Sequence, residues 1–310
     1  MQKSSPALLC EWLYMGEKEF TEPFFEETLS ACKYAQGGRR RYKSVSDLPM
    51  LVEWSTGIAA LAPTAIIFHV SRCGSTLLSQ LLSLEKENLV LSEVPFFDNV
   101  LRLPFQLPSV SQPAAGEYFR AALAFYGRQR NSEQQNLFLK ADSWHLHFYE
   151  QLRRLFPQIP FILLYREPFE VLRSQQKQRG LQSVPGMIEP QLFGFTEEES
   201  RELNPDRYMG HVLTSYFRQI SRIIESDPLA FAFDYAAGMD NIIRDVYSLV
   251  QLPFYSSLEQ QFEERCRYHA KRPQQVFAEM GEKSQWPGYL EPCYAFYEKV
   301  KKLPAGFQRR

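Results

Sequence analysis

The sequence predicts a doubly wound α/β fold, a mostly parallel sheet flanked by helices. Short apolar runs rich in β-branched and aromatic residues recur at Ala65–Val70, Asn88–Ser92, Leu137–Leu139, Phe161–Tyr165 and Leu229–Phe233. Such continuous runs suit strands buried on both faces of a parallel sheet. Segments with helical periodicity separate them, and strand-helix alternation is the signature of parallel crossovers. Four runs lead directly into a charged residue or a turn that carries one: Arg72, Glu93, Lys140 and Arg166. In doubly wound sheets ligands bind beyond the carboxyl ends of the strands, so the four should crowd one edge. Three cations against one carboxylate favour a polyanionic ligand.

Taken in order, residues 1–62 read as an N-terminal helical extension and 63–310 as the α/β domain. The apolar patch from Ala7 to Met15 is interrupted by Glu11 and lacks a small-residue cleavage site, so an amphipathic helix is expected rather than a signal peptide. Phe20, Phe24 and Phe25 are packing candidates. The basic run Arg39-Arg40-Arg41-Tyr42-Lys43 is either a solvated turn or a contact for acidic groups. A short helix is expected from Pro49 to Leu61, and Pro63 breaks the chain before the first strand. Leu77, Leu78, Leu81, Leu82 and Leu84 then carry helical spacing.

Residues 96–136 read as mostly helical. Ser143–Phe156 should form a helix closed by Pro157, and Pro168 suits a first helical position. Gly180 is a C-cap candidate for the helix that Pro168 opens. The long irregular stretch 181–206 is expected to act as a substrate lid. Helices follow at Tyr208–Glu225 and Met239–Val250, and the remainder reads as helical and loop-like.

Composition excludes several classes. With 35 basic and 36 acidic residues the net charge is −1, which gives no field for nucleic acid. No apolar stretch is long enough for a membrane span. The five cysteines are scattered without metal-ligand spacing, which predicts no metal and a reduced, cytoplasmic setting.

The stretch Ser71-Arg72-Cys73-Gly74-Ser75-Thr76 joins the first strand to its helix. That geometry aims backbone N–H groups and a positive helix end at one point, where a phosphate would satisfy them; an ordinary turn with a Ser N-cap is the other reading. It is not the nucleotide-triphosphatase loop, because Gly74 stands where that motif has its lysine.

The cation-x-Gly-[Ser/Thr]-[Ser/Thr] pattern resembles the 5′-phosphosulfate loop of sulfotransferases that use PAPS, 3′-phosphoadenylyl sulfate. Arg166-Glu167-Pro168 with Ser174 resembles their 3′-phosphate motif. The likeness covers roughly residues 65–180. It implies the P-loop nucleoside triphosphate hydrolase-like fold of sulfotransferase type, with PAPS as co-substrate and adenosine 3′,5′-bisphosphate left behind. In the resemblance Arg72, Cys73, Gly74, Ser75, Thr76, Arg166 and Ser174 bind the cofactor, and Lys271 belongs to a late basic loop near the 3′-phosphate. Glu93, Arg72 and Lys140 would be catalytic; Glu93 and Arg72 are similarly placed in tyrosylprotein sulfotransferases, which carry a catalytic Glu. Cytosolic sulfotransferases place a His two residues after the Lys, where this chain has Asp142, so Asp142 and His145 are reserve bases. The acceptor is a hydroxyl of a small molecule, carbohydrate or peptide, and a homodimer is one admissible assembly. A kinase-like transferase and a catalytically inactive bisphosphate-binding protein are the alternatives.

Overall fold

The computed structural model describes residues 8–37, 43–254, 259–266, 268–269, 272–276 and 285–302. At its centre lies a five-stranded sheet built from β3 (Pro63–His69), β4 (Asn88–Ser92), β5 (Asn136–Lys140), β6 (Phe161–Tyr165) and β7 (Ala230–Asp234). The spatial order is β4-β5-β3-β6-β7, and every pairing is parallel. The doubly wound expectation is met, with two strand spans at the predicted residues and three within two residues at either end.

Register aligns the carboxyl ends. Lys140 pairs with Ile67 on one side and Ser92 on the other, His69 pairs with Leu164, and Tyr165 with Asp234. The chain leaves β3 toward β4 and leaves β6 toward β7, on opposite sides. A crevice therefore opens where the strand order reverses, between the ends of β3 and β6.

Helices cover both faces. They are α3 (Ser75–Leu82), α4 (Pro95–Gln106), α5 (Gln112–Tyr126), α6 (Tyr149–Leu155), α7 (Pro168–Lys177), the short α8 (Glu197–Ser200), α9 (Pro205–Ser226), α10 (Met239–Leu249), α11 (Glu259–Cys266) and α12 (Glu291–Lys302). Their ends are chemically specified. Glu167 accepts the Glu170 N–H at 2.7 Å with Pro168 following it, and Asn204 accepts from Asp206 and Arg207 ahead of Pro205.

Before the sheet come β1 (Leu9–Trp12), α1 (Phe25–Gln36), β2 (Ser44–Asp47) and α2 (Leu48–Ser55). The helix expected over Ala7–Met15 is instead the strand β1, antiparallel to β2. Its burial alternates: Cys10 is buried while Leu9 is 63% exposed, and Trp12 Nε1 donates to Ser46 Oγ at 2.9 Å. The partner lies 34 residues away, so local periodicity could not report it. Likewise Tyr268–His269 and Arg272–Val276 pair as β8 and β9, where no strand was expected.

The helix expected over Ser143–Phe156 is a 3-10 turn, Ser143–Phe148, followed by α6. The stretch 181–206, expected as a lid, is anchored at a few points, while most of it is exposed or half-buried. It holds two 3-10 turns and α8, buries Ile188 and Phe193, and ties Glu189 to Arg102 of α4 at 2.7 Å.

Ile67 is fully buried in the central strand between β5 and β6. Ile67→Ala should lower the unfolding free energy by about 2–5 kcal/mol through lost burial and a residual cavity. Chemical denaturation should show this with an unchanged slope.

Candidate active site

A cavity of about 480 Å³ occupies the crevice, a size that suits a small organic ligand. Its floor is the turn from β3 to α3. Ser71 (φ 68°), Arg72 (φ 51°) and Gly74 (φ 84°) are all left-handed. For the two that carry a Cβ this costs on the order of 1–3 kcal/mol each, so contacts must hold them. The Ser71 N–H donates to His69 Nδ1 at 3.0 Å. Gln175 of α7 is fully buried; its amide donates to Ser71 Oγ at 3.1 Å and accepts the Gly180 N–H at 2.8 Å. The Cys73 thiol donates to Leu164 O at 3.3 Å.

This turn presents unmet donors. The first-turn N–H groups of α3 have no intrahelical partner, and Ser75, Thr76 and Leu77 line the cavity. Among the described residues the Ser75 and Thr76 hydroxyls make no hydrogen bond. Arg72 also lines the cavity, its guanidinium resting on the Gln178 carbonyl. Donors, a cation and a helix end on one spot make an anion site.

A second cationic group lines the same cavity. Arg166 at the end of β6 and Ser174 on α7 both face the cavity. The guanidinium lies 4.8 Å from the Tyr235 ring centre and donates to Glu170 at 3.2 Å. Tyr235 follows β7, and its ring closes over Gly74: a Cβ there would sit 2.6 Å from it.

Glu93 follows β4 in a left-handed conformation (φ 53°) and lines the cavity. Its Oε1 accepts from Lys140 and lies 3.3 Å from His69 Nε2. Because His69 Nδ1 accepts from Ser71, the ring proton is on Nε2, shared between Glu93 and the Ala141 carbonyl at 3.0 Å. Burial pushes the Glu93 carboxyl up, but Lys140 and His69 outweigh it and hold it well below the usual carboxylate range.

Asp142 behaves oppositely. It also lines the cavity, and burial with the charges of Glu93 and Asp98 raises its carboxyl to about 7 against the lowering influence of His145. Asp142 N–H donates to His145 Nδ1 at 3.3 Å, leaving Nε2–H for Asp98 Oδ1 at 3.0 Å; Asp142 Oδ2 is 3.6 Å away. Burial lowers the His145 ring, yet the two aspartates outweigh it and raise it. Asp98 is fixed further by Trp144 Nε1 (2.5 Å) and Arg102 (2.9 Å).

The structure thus brings Arg72, Gly74, Ser75, Thr76, Glu93, Arg166, Ser174 and the reserve Asp142 onto one cavity. Cys73 does not line it, and burial pushes its thiol up to about 12. Lys140 does not reach the cavity wall; its buried ammonium stands behind Glu93. Lys271 and residues 39–42 lie outside the described residues, and Lys43 pairs with Glu11 at 2.8 Å. From the expected lid, Leu181 and Gln182 line the cavity, beside Gly180. His69 is the last residue of β3 and lines the cavity. His69, Gln175, Asp98 and Tyr235 carried no motif, and only their nearness to strand and helix ends could have flagged them.

No protein-family model and no curated protein matches the chain. Among solved structures it is similar to a sulfotransferase from Mycobacterium avium, at 16% identity over 91% of this chain and 87% of that one, TM-score 0.46. It is similar to the sulfotransferase domain of a Synechococcus olefin synthase, at 16% identity over 82% and 93%, TM-score 0.44. A third is a sulfotransferase from Alicyclobacillus acidocaldarius, at 14% identity over 66% and 93%, TM-score 0.41.

Gly74→Ala should destabilise the chain by about 1–3 kcal/mol, because its left-handed φ and the Tyr235 ring both oppose a side chain. In a double-mutant cycle measured by chemical denaturation, that cost should shrink in a Tyr235→Ala background. Additive costs would show that the ring does not contribute.

Proposed function

We propose that the protein is a PAPS-dependent sulfotransferase acting on a hydroxyl acceptor. The observation that supports this is that two sets of anion-binding residue types line one cavity, with carboxyl groups beside them. The first subsite is Arg72, the first-turn N–H groups of α3, Ser75 and Thr76; the second is Arg166 with Ser174. A ligand bearing phosphates at both ends of a nucleoside fits this pair, and the unmet hydroxyls at Ser75, Thr76 and Ser174 are the donors it would satisfy. The missing loop lysine weighs against a kinase-like use of the scaffold.

In this reading Arg72 and the loop hold the 5′-phosphosulfate, and Arg166 and Ser174 hold the 3′-phosphate. Sulfuryl transfer between oxygens proceeds in line through a loose transition state, so positioning and charge stabilisation dominate. Arg72 offsets the charge that grows on the leaving bisphosphate. Lys140 acts at one remove, by holding Glu93 ionised. A carboxylate beside the acceptor receives its proton, and Glu93 is the residue that the sequence resemblance nominates.

Calorimetric titration with adenosine 3′,5′-bisphosphate, ADP and ATP with Mg²⁺ tests the reading, and selective binding of the bisphosphate is expected. Arg166→Ala should weaken the bisphosphate by about 10–100-fold, the scale of a charged hydrogen bond near 1.5–3 kcal/mol. It should leave ADP, which has no 3′-phosphate, nearly unchanged. Preference for ATP with Mg²⁺ would instead point to phosphoryl transfer.

A further inference from the structure

We infer that Asp142, not Glu93, is the group that takes the acceptor's proton, with His145 and Asp98 as its positioning residues. This rests on the sulfuryl-transfer reading above. Both carboxyls line the same cavity, so geometry admits either, and their partners separate them. Glu93 Oε1 already receives the Lys140 ammonium and faces His69 Nε2. Protonating it would leave a buried lysine without its counter-charge, a costly state. A carboxylate so held is a weak base.

Asp142 has no cation bonded to it. The nearest imidazole nitrogen is 3.6 Å from Oδ2, and its proton is directed to Asp98. The groups that face Asp142 come from several elements. Glu93 after β4 and Asp98 on α4 raise its carboxyl, while His145 on its own turn and Lys140 on β5 lower it; the Tyr216 hydroxyl of α9 stays neutral, pushed above its usual range by burial. With burial dominating, the carboxyl titrates near neutrality, where a general base exchanges protons most effectively. His145 spans the two aspartates: Nδ1 accepts the Asp142 N–H and Nε2 donates to Asp98, which Arg102 and Trp144 hold in turn. The base is therefore fixed without being neutralised.

The acceptor oxygen forms the new bond to sulfur while its proton moves to Asp142. The bond from sulfur to the 5′-phosphate oxygen breaks, and its electron pair leaves with adenosine 3′,5′-bisphosphate. Asp142 then releases the proton to solvent through the cavity. Activity should rise with pH through about 7 as Asp142 ionises.

The test compares D142N, E93Q and the parent, with PAPS as donor and benzyl alcohol, whose hydroxyl stays protonated across the pH range, as acceptor probe. D142N should lose about 10²–10⁴-fold in kcat while calorimetry shows unchanged bisphosphate affinity. The acidic limb of the parent's pH profile should vanish in the residual activity of D142N. In E93Q the limb should survive and move to lower pH, because a charge that raises Asp142 is gone. Infrared difference spectra read the same group without turnover. A protonated-carboxyl band should appear with a midpoint near neutral pH in the parent and at lower pH in E93Q, but not in D142N. If D142N does not fold, H145Q serves: losing the imidazole that lowers Asp142 should move the midpoint upward. A limb or band that persists in D142N, disappears in E93Q, or stays fixed in H145Q would overturn the assignment. Failure of the parent to bind the bisphosphate at all would sink the sulfuryl-transfer reading instead.

Discussion

A lysine ammonium sealed inside the sheet edge is the constraint on which this site depends. Lys140 is the last residue of β5, in register with Ile67 and Ser92, and its side chain has no solvent exposure. A buried charge without a partner costs several kcal/mol, so a carboxylate has to be brought to it. Glu93 supplies one by turning left-handed directly after β4. The Phe24 ring, 5.1 Å from the ammonium, adds a face of negative potential and ties the N-terminal elements to the same point.

From that pair the geometry propagates by hydrogen bonds. Glu93 and the Ala141 carbonyl orient the His69 ring, whose other nitrogen receives the Ser71 N–H. Ser71 is gripped from the far side by Gln175, which also fixes Gly180 at the cavity rim. Two strained backbone residues at the start of the loop are thereby held in place without any ligand. Preorganisation of this kind means that a bound anion would not have to supply the ordering itself. Local strain at the loop and a satisfied polar chain behind it are two sides of one arrangement.

Much of the fold was legible because its strands announce themselves. Leu89-Val90-Leu91, at the centre of Asn88–Ser92, and Phe161–Tyr165 are apolar runs, and parallel strands buried on both faces read that way. Arg72, Glu93 and Arg166 reached the cavity because strand ends in a parallel sheet share an edge. Lys140 obeyed the same rule at the level of the backbone, yet its side chain turned inward, which spacing along a chain cannot encode. β1 was misread because its partner β2 lies 34 residues on and a four-residue strand has too few positions to show a period. Gln175 and Asp98 sit on helices as single polar residues, and their significance exists only once another element packs against them.

The two cavity carboxyls show why one edge of a sheet can hold groups of opposite character. Asp142 is buried and Glu93 half-buried, and both are anionic when ionised, so each opposes the other's charge. Lys140 and His69 settle the competition by stabilising the ionised form of Glu93. That fixed charge then falls on Asp142, whose own neighbour His145 is already engaged by Asp98. Burial is the main reason that the second carboxyl moves toward neutral pH; the Glu93 charge adds to it, while Lys140 itself acts in the lowering direction. Pairs of acids driven apart by their surroundings are how one site separates an electrostatic role from a proton-transfer role; here the paired lysine sets one acid and burial sets the other.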